Sequence, residues 1–116
     1  MAVLTAASSA GASTSAFKSP TGNITCVMST RDGGFAQCEL RSMARNGGFF
    51  VPYRGRGSRY DVAYYDDLAD QRFVLGYGES RRLSRFTCVS RSSGMTCRNR
   101  VTGHGFTISR QSQTVF

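Results

Sequence analysis

Four cysteines set as two close pairs, Cys26/Cys38 and Cys88/Cys97, constrain this chain more than any other feature. Neither pair has C-x-x-C spacing, and the single histidine, His104, cannot complete a Cys/His zinc set. An all-cysteine zinc site spanning both pairs lacks the close ligand spacing such sites use. Two disulfides formed in an oxidising compartment are therefore expected, with no metal and no cofactor. A bridge closing so short a loop stabilises a fold by about 3 kcal/mol, which matters for a core this small. Four cysteines allow three connectivities, and a bridge between the two pairs is one of the alternatives left open.

The residues around each cysteine alternate in period two. Ile24, Cys26 and Met28 share one face of the segment Asn23–Met28, and Ala36, Cys38 and Leu40 share a face after the turn Arg31-Asp32-Gly33-Gly34. Setting Cys26 opposite Cys38 in an antiparallel hairpin places Met28 against Ala36 and Ile24 against Leu40, so the apolar faces coincide. The segments Phe86–Ser90 and Met95–Asn99, joined through Arg91-Ser92-Ser93-Gly94, repeat the design. There, Cys88 opposite Cys97 sets Ser90 against Met95 and Phe86 against Asn99. Directly opposed strand residues lie about 4.5–5.5 Å apart, within reach of a disulfide. The shared triplets Thr25-Cys26-Val27 and Thr87-Cys88-Val89 form a weak internal repeat.

Further short strands are expected at Phe49-Phe50-Val51, with Pro52 at a sheet edge or strand end, at Arg72–Tyr77, and at Phe106–Ile108. Val115-Phe116 would pin the chain end. Tyr60–Gln71 reads two ways. Val62, Tyr65, Leu68 and Ala69 line one face of a short helix, whereas Tyr60, Val62 and Tyr64 alternate as in a strand; the helix is the reading adopted. Together these features predict a mainly β fold, a small antiparallel sheet or barrel-like domain with two stapled hairpins and one short helix. The 116 residues fit one domain. No stretch approaches the roughly 18 consecutive apolar residues of a membrane span.

Residues 1–16 are almost all Ala, Ser, Thr and Gly, with no charge and no apolar periodicity. Met1–Ala7 looks like the end of a signal-peptide apolar region, and Ala10-Gly11-Ala12 and Thr14-Ser15-Ala16 supply small-x-small cleavage sites. The expectation is a residual signal peptide, or else a disordered extension, at 1–16, followed by a single β-rich domain at 17–116. With the paired cysteines it points to a secreted, periplasmic or envelope location.

The net charge of +8 comes almost wholly from arginine, 14 Arg against one Lys. Arg54, Arg56 and Arg59 form one cluster and Arg81, Arg82 and Arg85 another, with Arg98 and Arg100 following. Guanidinium forks bind carboxylates and phosphates in bidentate fashion, so these eight residues are the candidate anion-binding set. Nucleic acid is one such partner, since Tyr53 and Tyr60 beside the Arg-Gly run could stack on bases. The competing reading is a solvated basic surface. Asp61, Asp66, Asp67 and Asp70 do not match a Ca²⁺ loop and are better read as arginine partners. His104, between two glycines, is the one candidate for acid/base chemistry, with Glu39 or Glu79 as its partner in RNA cleavage. No nucleophile elbow, phosphate loop or Cys/His nucleophile pair is present. Asn23-Ile24-Thr25 matches a glycosylation sequon, a weak signal.

Two blocks carry a resemblance. Phe17–Cys26, with Cys38–Ser42 after it, and Leu75–Phe116 resemble small exported bacterial proteins that open on S-P-x-G-N-I-x-C and end on G-x-T-C-x-N…G-H-G-F-x-x-S-R. That family has no known function, so the resemblance implies export and paired cysteines but no activity. Residues 43–71 lack the extra cysteines and the Trp-Gly found in its members. Gly22, Asn23, Gly94, Asn99, Gly103 and Gly105 within these blocks read first as turn and backbone-cap residues.

The sequence thus predicts a non-catalytic exported binding or envelope-associated module whose arginines meet an unknown anionic protein or polymer. Two alternatives stand beside it: a secreted ribonuclease-like or nucleic-acid-binding protein, and an inhibitor of a secreted hydrolase with an acidic surface.

Overall fold

The computed structural model describes residues 12–41, 47–62 and 73–116. In these segments period-two alternation and closely spaced turns produce strands, as the sequence predicts. Five strands, β1 (Thr14–Lys18), β2 (Ile24–Ser29), β3 (Phe35–Leu40), β4 (Gly47–Pro52) and β5 (Ser58–Asp61), run as an antiparallel meander. A two-residue strand, β6 (Phe73–Val74), adds in parallel to the outer edge of β1. A second meander follows, made of β7 (Ser80–Leu83), β8 (Phe86–Arg91), β9 (Gly94–Asn99), β10 (Gly105–Ile108) and β11 (Gln113–Val115). The sheets have the orders β5-β4-β3-β2-β1-β6 and β11-β10-β9-β8-β7, so the strands form two open sheets and not a barrel.

Both expected bridges form, Cys26–Cys38 and Cys88–Cys97. The pairings Met28↔Ala36, Ile24↔Leu40, Ser90↔Met95 and Phe86↔Asn99 are those the apolar faces require. The weak sequence repeat extends into the architecture. Across the first sheet, Phe17, Cys26, Cys38, Phe49 and Arg59 stand in one row; across the second, Arg81, Cys88, Cys97, Phe106 and Val115 do. The rows meet at their centres. Sγ of Cys38 lies 3.5 Å from Sγ of Cys97, and the Phe49 and Phe106 rings are 5.9 Å apart. Around this crossing Met28, Val51, Leu75, Phe86, Met95 and Ile108 complete a buried apolar core shared by both sheets. Neither sheet buries an apolar face without the other, which is why two meanders stack.

Two local readings change. Tyr60 and Asp61, assigned to the start of a helix, lie in β5, Val62 follows it outside any helix or strand, and 63–71 fall outside the described residues. The strand wins here because Tyr60 pairs with Gly48, whose missing side chain leaves room for the ring, and Gln37 Nε2 donates a hydrogen bond to the Tyr60 hydroxyl. Of the expected strand Arg72–Tyr77, Arg72 lies outside the described residues, and among the described ones Phe73 and Val74 are strand; Glu79 Oε1 accepts from the Gly76 backbone at 2.7 Å and turns the chain toward the second sheet. Pro52 stands at a strand end, as expected: it closes β4, which is flanked by β3 and β5. Among the described residues strand pairing begins at Thr14, upstream of Phe17.

Candidate binding surfaces at the two ends of the sandwich

Strand direction gives the sandwich two ends, each built from turns of both sheets. At the first end stand the β2–β3 turn, the β4–β5 loop, the β7–β8 turn and the β9–β10 loop. Two predicted arginine clusters meet here. The guanidinium of Arg85, from the second sheet, lies 3.7 Å from the centroid of the Tyr53 ring, and that of Arg54 lies 5.6 Å from the same ring. Arg100 joins them by donating to the Ser84 carbonyl at 2.8 Å while its backbone N–H donates to the Arg85 carbonyl at 2.7 Å. Next to them Phe35 and Phe50 stack at 5.5 Å and, with Pro52, Tyr53 and Arg31, line a shallow groove of about 410 Å³.

Asn99 holds this end together. It is fully buried, and its Nδ2 donates to the Pro52 and Tyr53 carbonyls at 3.2 and 2.9 Å across the sheet interface. Its Oδ1 accepts from the Val101 and Thr102 backbone at 3.0 and 3.3 Å. The capping role expected from sequence is therefore real, and the same side chain also fixes the loop that presents Tyr53 and Arg54.

The remaining predicted arginines scatter. Arg59 stacks on Phe49 at 5.4 Å and Arg98 on Phe116 at 5.5 Å. Arg81 points into the space between the sheets, where its Nε donates to Ser15 Oγ at 2.9 Å and its guanidinium covers Phe73 at 4.6 Å. Arg56 and Arg82 are exposed, one in the β4–β5 loop and one on β7. His104 sits in the β9–β10 loop at the first end, its backbone N–H donating to Thr102 Oγ1. Glu39 stands near the opposite end of β3, and Glu79 is engaged with Gly76, so the structure does not gather the three into one acid/base site. Asp61 is exposed on β5; Asp66, Asp67 and Asp70 lie outside the described residues. The sulfurs of Cys26, Cys38 and Cys97 come within 4.8 Å of one another, but each is spent in a disulfide and offers no thiolate to a metal.

The second end holds what sequence reasoning missed. The β1–β2 turn, the β8–β9 turn and the β10–β11 turn enclose a cleft of about 380 Å³, with Tyr77 at its side. Ser19 and Asn23 come from the S-P-x-G-N-I block, Gly94 and Met95 from the G-x-T-C block, and Ser109 and Arg110 from the G-F-x-x-S-R block. Blocks far apart in sequence thus converge on one cleft. The available signal is their shared density of small polar residues, of which the sequence reading takes Asn23 and Gly94 as turn and backbone-cap residues first. Two serines of the lining also serve the turns: Ser19 Oγ accepts from the Ile24 N–H at 3.2 Å and Ser109 Oγ from the Ser112 N–H at 3.1 Å.

The fold and its two ends define the class, a small disulfide-stapled β-sandwich that presents a basic aromatic surface at one end and a polar cleft at the other. Residues 58–116, which carry β5, β6 and the whole second sheet, match DUF6636, a family of unknown function, and the chain belongs to that family. The S-P-x-G-N-I-x-C block precedes the matched segment. No curated protein and no solved structure matches the chain. No described helix is long and apolar enough to cross a membrane.

Proposed function

We propose that this protein is an exported, non-catalytic binding module whose first end takes an acidic segment of a protein partner. The observation that carries the reading is the meeting of Arg54 and Arg85, from different sheets, on the one ring of Tyr53 beside the Phe35–Phe50 groove. Guanidinium groups held in place by an aromatic ring and by backbone carbonyls lose little freedom on binding, so carboxylates gain from them more than from mobile side chains. The neighbouring aromatic groove suits an apolar residue placed among the acidic ones. A +8 chain is steered toward such a partner, and a secreted hydrolase with an acidic surface belongs to that class.

Nucleic acid is less well served, because Arg85 covers the Tyr53 face on which a base would stack. Export is supported by two disulfides in a chain this short.

The test compares a labelled peptide alternating Glu and Phe with a single-stranded oligonucleotide of equal charge, in fluorescence anisotropy at about 0.15 M ionic strength. The peptide is expected to bind more tightly, and R54E/R85E to weaken it at least about tenfold, the effect of 1.4 kcal/mol. Tighter binding of the oligonucleotide, with a steep salt dependence, would replace the reading with polyanion binding.

A further inference from the structure

The cleft at the second end is walled by turns, whose shape is set by backbone hydrogen bonds and by the hydroxyls of Ser19 and Ser109. Ser19 closes the β1–β2 turn through the Gly22 and Ile24 N–H groups, and Ser109 closes the β10–β11 turn through Ser112. Ile24 and Met95, both buried, form its floor. Asn23, Arg91, Arg110 and Gln111 line it with side chains that have no hydrogen-bond or ion-pair partner among the described residues, and the Tyr77 ring beside them is half-exposed.

Each group narrows the ligand. Two guanidiniums call for an anion. A bare inorganic ion would leave the amides of Asn23 and Gln111 and the ring of Tyr77 unused. An apolar ligand would leave both arginines and both amides desolvated and unpaired. A sugar ring satisfies the whole set, because its hydroxyls pair with amides and hydroxyls, its C–H face packs on an aromatic ring, and a carboxylate on the ring takes an arginine fork. The cleft's size lies within the range of small-molecule sites. We propose that this cleft binds an acidic saccharide through Arg91 and Arg110, with Asn23 and Gln111 on its hydroxyls and Tyr77 against its ring. The site is separate from the Tyr53 surface and does not depend on that surface's role.

The test is an NMR titration of the isotopically labelled chain with three probes: a disaccharide containing glucuronic acid, a neutral disaccharide, and sodium sulfate. The acidic disaccharide is expected to give saturable shifts confined to residues 19–23, 77, 91–94 and 109–112. The neutral disaccharide is expected to bind at least about tenfold more weakly, and R91Q/R110Q to weaken the acidic one by a similar factor. Tyr77→Ala should lower affinity while leaving the dispersed spectrum intact, which separates loss of contact from loss of fold. The proposal fails if millimolar acidic disaccharide gives no saturable shift. It fails equally if sulfate binds as tightly at the same residues, or if the substitutions leave affinity unchanged in a folded chain.

Discussion

The two ends of the sandwich are built alike and finished differently. Each draws turns from both meanders, and the repeat that sets Cys26–Cys38 over Cys88–Cys97 relates one end to the other. Yet the first end is finished by aromatic rings with arginines stacked on them beside a shallow groove, while the second forms a cleft lined with amides, hydroxyls and unpaired arginines. At the first end guanidinium groups are partly used up in holding the protein together; at the second they are held in reserve. A duplicated framework thus fixes where surfaces form, and the turn residues decide what each surface meets.

The sharpest way to break this comparison is to damage one end at a time through a glycine that no other residue can replace. A Cβ on Gly57, at the first end, would come within 2.0 Å of the Gly105 carbonyl oxygen. One on Gly94, at the second, would come within 2.4 Å of the Ile108 carbonyl oxygen, at a φ of +141°. Both obstacles are backbone and cannot swing aside. Each Gly→Ala change is expected to cost about 3 kcal/mol in denaturant unfolding, at the upper end for overpacking. Each should also impair ligand binding at its own end more than at the other. Equal impairment of both ends by either change would show that the ends are not independent.

Asn99→Ala should have the next largest effect. It strips two donors and two acceptor contacts from a fully buried position and leaves the Pro52 and Tyr53 carbonyls without their partner. A loss of about 2 kcal/mol is expected, the cost of stranding buried polar groups. Peptide binding at the Tyr53 surface should weaken with it, while the cleft at the opposite end keeps its affinity. Retained peptide affinity would separate Asn99 from the positioning of Arg54.

The smallest effect serves as a control that touches neither end. The Tyr60 hydroxyl is held above the ordinary tyrosine value, chiefly by burial and further by the charge of Glu39, with the Gln37 hydrogen bond opposing both. The folded chain therefore keeps this proton more tightly than the unfolded chain does. The stabilisation is complete below the unfolded-state pKa of about 10 and is lost as pH rises past it through the folded-state value. Stability of the native chain should fall toward that of Tyr60→Phe as pH rises from 9 through the alkaline range, a small effect because the half-exposed hydroxyl is screened by solvent. A gap between the two proteins that stays constant over that range would contradict the assignment.

What was legible in the sequence was local. Period-two alternation on both sides of a tight turn specifies a hairpin, and a cysteine on each inward face then leaves one register, so Cys26, Cys38, Cys88 and Cys97 paired as expected. Phe106 and Ile108 were equally plain, both inward and buried. Tyr60 was not, because a 3.6-residue and a two-residue pattern coincide over a few positions, and only Gly48 on the neighbouring strand decides between them. The grouping of Arg54 with Arg85, and of Asn23 with Arg91 and Arg110, depends on how one sheet lies over the other. No periodicity encodes that. Arg81 shows the same limit: in sequence it belongs with Arg82 and Arg85, yet it turns inward to Ser15.

Both disulfides lie within a sheet, and none crosses from one sheet to the other. The only covalent path between the meanders near the interface is the backbone at Leu75–Glu79, where Gly76 and Gly78 flank an exposed Tyr77. Among the described residues, what else joins them is packing, together with single hydrogen bonds such as those of Asn99 and Arg81. The molecule is in effect a heterodimer carried on one chain. The second sheet of one copy could seat on the first sheet of another with the Phe49–Phe106 and Cys38–Cys97 contacts kept, at the cost of rerouting a connection whose Leu75 is itself buried in the core. This is the geometry of domain exchange, and here no covalent bond stands against it.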